Sequence, residues 1–156
     1  MSNVFYYNTK IGKLRIVEDG NRIVGVSVFE GSEPEQIRET ELIKTTYLQL
    51  QEYFEGKRTT FDIPIRLEGT SFQIKVWEEL RKIPYGETRS YGEVATQIGS
   101  PKGARAVGGA NHHNPILIIV PCHRVIGASG SLVGFGAGIP VKEMLLKIEN
   151  QASTLV

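Results

Sequence analysis

The chain changes character at Leu67–Thr70, and that change constrains its fold more than any other feature. Before it, VFYYN, KLRIVED and RIVGVSVFE are rich in β-branched and aromatic residues. Asp19-Gly20-Asn21 forms a turn signal between the last two. Gln36 to Glu55 reads as one or two helices ended by Gly56. FDIPI follows as a short edge or connecting segment, because Pro64 cannot donate to a sheet ladder. After the change, helical spacing takes over. Thr70-Ser71-Phe72-Gln73 is a capping box ahead of Phe72, Val76, Leu80 and Ile83, with Trp77 beside them. At 156 residues the chain can hold one domain or two small lobes with a real core. The reading divides it into an α/β lobe over residues 1–68 and a mostly helical one over 69–156.

Ser90-Tyr91-Gly92-Glu93 is a second capping box and opens a short helix, Tyr91–Ile98. Gly99 breaks it and Pro101 is expected to restart a helix at its first turn. Two short helices around a Gly-containing turn form the helix-turn-helix pattern, which an ordinary αα-hairpin shares. The second helix, PKGARAVGGAN, is unusual because glycine costs helix stability. Small side chains let a backbone approach another surface closely. That surface can be another helix of the same protein or a partner, and Arg105 is the one long probe on this helix.

Charge is asymmetric although the net value is only +1. No acid lies between Glu93 and Glu143, a stretch that carries Lys102, Arg105, Arg124 and Lys142 with His112, His113 and His123. This suits an anionic partner, and equally a neutral Gly-rich region that lacks acids. A single cysteine excludes an internal disulfide and a Cys-rich zinc site. The start has no basic then apolar leader, and the longest aliphatic run, ILIIV, is too short to span a bilayer. The expectation is a cytoplasmic protein without a membrane partner or metal, and a monomer.

That cysteine lies in VPCHRV, behind the ILIIV run, which reads as a strand ended by Pro121. A free cysteine is most often a small buried hydrophobe. Here histidine and arginine follow it directly. A thiol becomes nucleophilic when a base or cation favours the thiolate. His123 can serve Cys122, directly or through a water, only if the chain turns at Pro-Cys-His, since adjacent residues of a strand point apart. A base needs an orienting group. In VKEMLLKIEN the apolar stripe is Val141, Met144, Leu145 and Ile148. Glu149 borders it and Glu143 lies nearly opposite. A Cys122–His123–Glu149 relay is therefore possible. Asn114 precedes Pro115 as a turn residue that could also tie the helix to the cysteine turn. The loop GASGSLVGFGAG matches no phosphate-binding fingerprint and reads as a pocket wall or lid.

From SFQIKVWEEL through RAVGGAN, NP and VPCHRV to VKEMLLKIEN, residues 70–150 closely resemble the O6-alkylguanine-DNA alkyltransferases. The resemblance implies an N-terminal α/β lobe, ribonuclease H-like, and a helical lobe with a winged-helix-like helix-turn-helix. It implies a DNA repair protein that moves an alkyl group, such as methyl, from guanine O6 in double-stranded DNA to its own cysteine. Transfer is irreversible, one group per molecule and without a cofactor, and O4-alkylthymine is a further conceivable substrate. It carries Cys122 as acceptor, His123 as base through water and Glu149 as orienting carboxylate. Asn114 is carried as the bridge from recognition helix to active-site turn, and Tyr91 as a hydroxyl assisting guanine departure. Arg105 is the finger filling the gap left by the flipped base in the minor groove. Lys102, Ala104, Gly108 and Arg124 are further DNA-facing positions. The base pocket involves Tyr91, Val125, Phe135 and Gly136, with main chain at Cys122 and Val125 reading guanine. Phe135 and Gly136 depart from the tyrosine and serine of some members. With one cysteine, neither a cysteine-built N-terminal zinc site nor a fused zinc-binding phosphotriester-repair domain is expected.

Three rivals bear on this reading. Alkyltransferase-like lesion binders typically have tryptophan in place of Cys122. A winged-helix regulator needs long base-reading side chains. A Cys-His-Glu hydrolase needs turnover and no basic half.

Overall fold

The computed structural model describes residues 2–32, 37–130 and 137–154. The chain divides into two compact units, Met1–Glu68 and Gly69–Val156.

The first unit is an antiparallel meander of β1 (Ser2–Thr9), β2 (Gly12–Asp19) and β3 (Arg22–Val28), in the order β1-β2-β3, with helix α1 (Glu41–Phe54) packed on it. The β2–β3 turn is the expected one. Gly20 and Asn21 take φ of 59° and 63°, the left-handed pair that matches the twist of a two-residue hairpin. Alternation puts Leu14, Ile16 and Val26 on a fully buried face. Val4, Tyr6 and Val17 form a second apolar cluster with Val24 and Phe29. α1 begins at Glu41, because the Thr40 side chain accepts the N–H of Ile43 and so fixes the N-cap; the expected start, Gln36, lies outside the described residues. Gly56, at φ 75°, follows its C-cap. FDIPI behaves as a connector, with one parallel bridge from Ile65 to Ile23.

The second unit contains α2 (Ser71–Leu80), β4 (Arg89–Ser90), α3 (Tyr91–Gln97), α4 (Ala104–His112), β5 (Val125–Ile126) and α5 (Ile139–Thr154). Both capping boxes form as their sequences require, Thr70 with Gln73 and Ser90 with Glu93. α2, α3 and α4 pack together around Val76, Trp77, Leu80, Val94, Ala95 and Val107. The Trp77 indole N–H also donates to the Ala110 carbonyl at 2.8 Å.

Two local expectations fail here. Pro101 does not open α4. Pro101-Lys102-Gly103 make a separate turn, closed by Gly103 N–H to Ser100 C=O at 2.7 Å, and the helix starts at Ala104. Nor is ILIIV a strand. Ile116–Val120 curl into a buried turn, closed by Val120 N–H to Ile116 C=O at 3.0 Å, with Ile118 at φ 73°. The Asn114 side chain bonds both ends of this turn, accepting from Ile116 N–H at 3.0 Å and donating to Val120 C=O at 2.8 Å. Ile118 is only 1% exposed, so the burial of this run offsets a left-handed conformation that branched residues rarely adopt.

Candidate active site

The turn that carries the cysteine is fixed from both sides. Pro121, at φ −81° and ψ 64°, turns the chain into a 3-10 turn, Cys122–Arg124. The Val125 N–H returns to the Cys122 carbonyl and closes it. β5 starts at once and pairs in parallel with β4, Arg89 opposite Val125 and Ser90 opposite Ile126. Because β4 runs directly into α3, the pairing sets Tyr91, the first residue of α3, beside the cysteine turn.

Cys122 is 2% exposed. Its sulfur receives the Asn114 Nδ2–H at 3.1 Å. Asn114 thus uses every polar group it has, two N–H on Val120 O and Cys122 Sγ and its oxygen on Ile116 N–H. Burial pushes the thiol up to about 11, against the lowering pull of Asn114 and of the Lys142 ammonium. The resting sulfur is therefore a thiol and not a standing thiolate.

The chain turns at Pro-Cys-His, as a relay through His123 requires. His123 is fully buried and its Nε2–H donates to Glu149 Oε2 at 2.5 Å. A carboxylate on Nε2 leaves Nδ1 as the lone-pair nitrogen of the neutral ring. Burial lowers the His123 pKa, opposed by Glu149, so the ring is a neutral base at pH 7. Glu149 also takes both arms of Arg124, Nε at 2.9 Å and NH2 at 3.1 Å, and the Gly86 N–H at 3.0 Å. Burial alone would raise its pKa. The bonds from His123 and Arg124 prevail and hold it at about 2.

Lys142 sits on α5 two turns before Glu149 and is fully buried. Its Nζ donates to the Val125 carbonyl at 2.5 Å and lies 5.8 Å from the centre of the Tyr91 ring. Desolvation lowers it to about 8, with the nearby Cys122 opposing. The Tyr91 phenol is pushed up by burial and by Cys122, and a hydrogen bond with Asn111 acts the other way. Asn111, buried on α4, also donates Nδ2–H to the Cys122 carbonyl at 3.2 Å.

Cys122, His123, Glu149, Asn114, Tyr91 and Val125 are therefore brought together, as the sequence leads one to expect. Lys102, Arg105, Ala106 and Gly109 lie on the exposed side of the α4 region, with Ala104 and Gly108 half-buried. A Cβ added to Gly109 would meet nothing within 4 Å, and one on Gly108 would meet only Tyr91 at 3.9 Å. Packing within the protein does not demand these glycines. Arg124 is a different matter. Expected to face DNA, it is instead buried, gripping Glu149 and the Ile83 carbonyl at 2.7 Å, because a carboxylate inside a core needs a cation. Asn114, directly after the C-cap of α4, bonds Val120 O and Cys122 Sγ, and Asn111 on the helix itself adds a second tie to the cysteine turn. Phe135 and Gly136 fall outside the described residues.

Sequence reasoning missed Asn111 and the inward placement of Lys142. Each had a signal. Asn111 stands on the α4 face of Val107 and Ala110. Lys142 shares a face with Leu145 and Glu149, so the true stripe of α5 is Lys142, Leu145, Ile148 and Glu149, with Val141 and Met144 half-buried. Among the described residues no cluster of His, Cys, Asp or Glu could hold a metal ion, and no helix is long and apolar enough to cross a membrane.

Comparison with known proteins agrees with this geometry. Residues 5–67 match the family described as 6-O-methylguanine DNA methyltransferase, ribonuclease-like domain. Residues 71–151 match 6-O-methylguanine DNA methyltransferase, DNA binding domain. A methylated-DNA–protein-cysteine methyltransferase of Methanosarcina acetivorans is 45% identical over 148 residues, covering 92% of this chain and 95% of that protein. One of Mycobacterium bovis is 64% identical over 101 residues, 65% of this chain and 61% of that protein. The crystal structure of Mycobacterium tuberculosis O6-methylguanine methyltransferase superposes with a TM-score of 0.90 at 46% identity, over 97% of this chain and 94% of that one. A structure of the M. tuberculosis protein in complex with DNA gives 0.86 at 46% identity, over 97% and 93%.

Proposed function

The chain belongs to the 6-O-methylguanine DNA methyltransferase family, and from that premise we propose that it repairs alkylated duplex DNA by moving the alkyl group from guanine O6 onto Cys122. The observation that carries this reading is the single buried sulfur, bonded by Asn114 at 3.1 Å and followed by a histidine locked on a buried carboxylate. As the alkyl carbon approaches, the thiol proton passes to Nδ1 of His123 through a water, and Glu149 stabilises the imidazolium. The sulfur attacks the carbon, the S–C bond forms and the C–O6 bond breaks. The electron pair flows to the purine, which takes up a proton with help from the Tyr91 hydroxyl and leaves as guanine. The thioether has no route back, so each molecule acts once.

Chemistry on a stacked base requires flipping it out. Arg105 fills the gap, and α4 enters the minor groove, with Lys102, Ala104 and Gly108 against the DNA. The open space above Gly109 supports this close approach. Val125 and the cysteine turn line the base pocket. O4-alkylthymine falls within the same chemistry. The protein acts as a cytoplasmic monomer, its 69–156 region carrying DNA binding and transfer and its 1–68 region the α/β lobe.

Peptide mass spectrometry after mixing with an O6-methylguanine duplex tests the reading. One methyl on the Cys122 peptide, never more per protein, is the expected result, and Cys122→Ala should bind DNA without gaining it. Transfer in Cys122→Ala, or a bound duplex with no adduct on the wild-type protein, would sink it. Arg105→Ala should slow repair of duplex more than reaction with a free O6-alkylguanine base.

A further inference from the structure

We propose that Asn111 is the positioning residue through which α4 aligns both the acceptor cysteine and Tyr91. The proposal rests on the reading above. Three elements meet at this one side chain. It stands on α4, its Nδ2–H reaches the Cys122 carbonyl at 3.2 Å, and the Tyr91 ring at the start of α3 lies 3.9 Å from the Cβ position of Gly108 one turn earlier, its phenol pulled down in pKa by Asn111 against the effect of burial.

A fully buried asparagine in a helix is otherwise a poor choice. It has low helix propensity, and its amide loses water on burial. Valine or alanine, as at Val107 and Ala110 on the same face, would fill the space without that cost. What the amide adds is direction. The Cys122 carbonyl already accepts the Val125 N–H that closes the 3-10 turn. A second donor from α4 fixes the plane of the peptide that follows Cys122, and with it the direction in which Sγ projects. The helix behind the amide is itself anchored, because the Trp77 indole holds the adjacent carbonyl, Ala110 O, at 2.8 Å. Displacement of α4 by a docked duplex would therefore reach the sulfur and the phenol together, through one amide. Asn114 contributes differently. It holds the sulfur and the Ile116–Val120 turn but sits outside the helix.

Asn111→Leu, similar in volume and without hydrogen bonds, is the test, with Asn111→Gln as the variant that keeps the amide. Transfer from an O6-methylguanine duplex is measured in single turnover beside duplex affinity. The reaction of a free O6-alkylguanine base is followed with and without unmodified duplex. For Leu we expect the maximal transfer rate to fall about 30-fold while duplex affinity changes less than about 3-fold. Any effect of bound duplex on the free-base reaction should disappear, and Gln should restore part of both. Should Leu fail to fold, the Gln variant carries the same comparison, with its partial loss confined to the rate. Wild-type rates in the Leu variant, or equal losses in affinity and in every reaction, would overturn the proposal. Wild-type protein that transfers nothing from the duplex would instead overturn the function on which it rests.

Discussion

Glu149 holds more of the site than its place at the edge of an apolar stripe suggests. It accepts from His123, from both arms of Arg124 and from Gly86 N–H, all inside the second unit. Asn, Gln or a neutral acid cannot serve four donors, two of them on a cation. Glu149→Gln keeps the volume but leaves the buried guanidinium without its counter-charge. Removing one partner of such a pair costs about 3–5 kcal/mol. Urea unfolding at pH 7 should show that loss, and single-turnover transfer should slow because the His123 tautomer is no longer enforced. A loss below about 1 kcal/mol would contradict the arrangement. The acid was legible from the periodicity of VKEMLLKIEN. Its partner was not, because in sequence Arg124 is one more cation in an acid-free stretch. Only the fold shows that it turns inward. Lys142 was hidden for the same reason, since a lysine on a helix is presumed solvated until its neighbours are known.

At the level of elements, what the sequence states locally was readable and what depends on distant partners was not. The two capping boxes need only residues three apart, and both formed. The ILIIV turn depends on the Asn114 side chain bonding both its ends, which no period reveals. The glycines of α4 were ambiguous between packing inside the protein and approach to a partner. The open space at Gly109 removes packing inside the protein as the reason for that glycine. Gly109→Ala should stabilise the fold by about 0.5–1 kcal/mol through helix propensity, because its methyl meets nothing. If that face meets DNA as proposed, the same methyl should weaken duplex binding and slow transfer while sparing reaction with the free base. A melting temperature that rises while duplex transfer falls is the expected pair of results. A lower melting temperature would mean that the helix packs there after all.

Across the whole chain, the buried ionisable groups make stability depend on pH unevenly. His123 has a folded pKa below its ordinary 6.5 and Glu149 one of about 2 against 4.5. A depressed folded value means stability that is present above the unfolded pKa and lost as the pH falls towards the folded one. Acid loss therefore begins near 6.5 with His123 and deepens below 4.5 with Glu149. On the alkaline side two shifts oppose each other. Lys142, lowered from 10.5 to about 8, adds stability as the pH rises between those values. Cys122, raised from 9.0 to about 11, loses stability as the pH rises from 9 to 11. The alkaline limb should be nearly flat and the acid limb steep. All four groups lie in Gly69–Val156, and the shifted carboxylate of the first unit, Asp19, is lowered chiefly by a solvent-accessible bond to Arg66. Hydrogen exchange followed by segment from pH 7.5 to 4 should therefore show the second unit losing protection first. Glu149→Gln should abolish the part below 4.5 and leave the onset near 6.5. Simultaneous loss in both units, or an onset that moves with the Gln variant, would place the acid sensitivity outside this buried network.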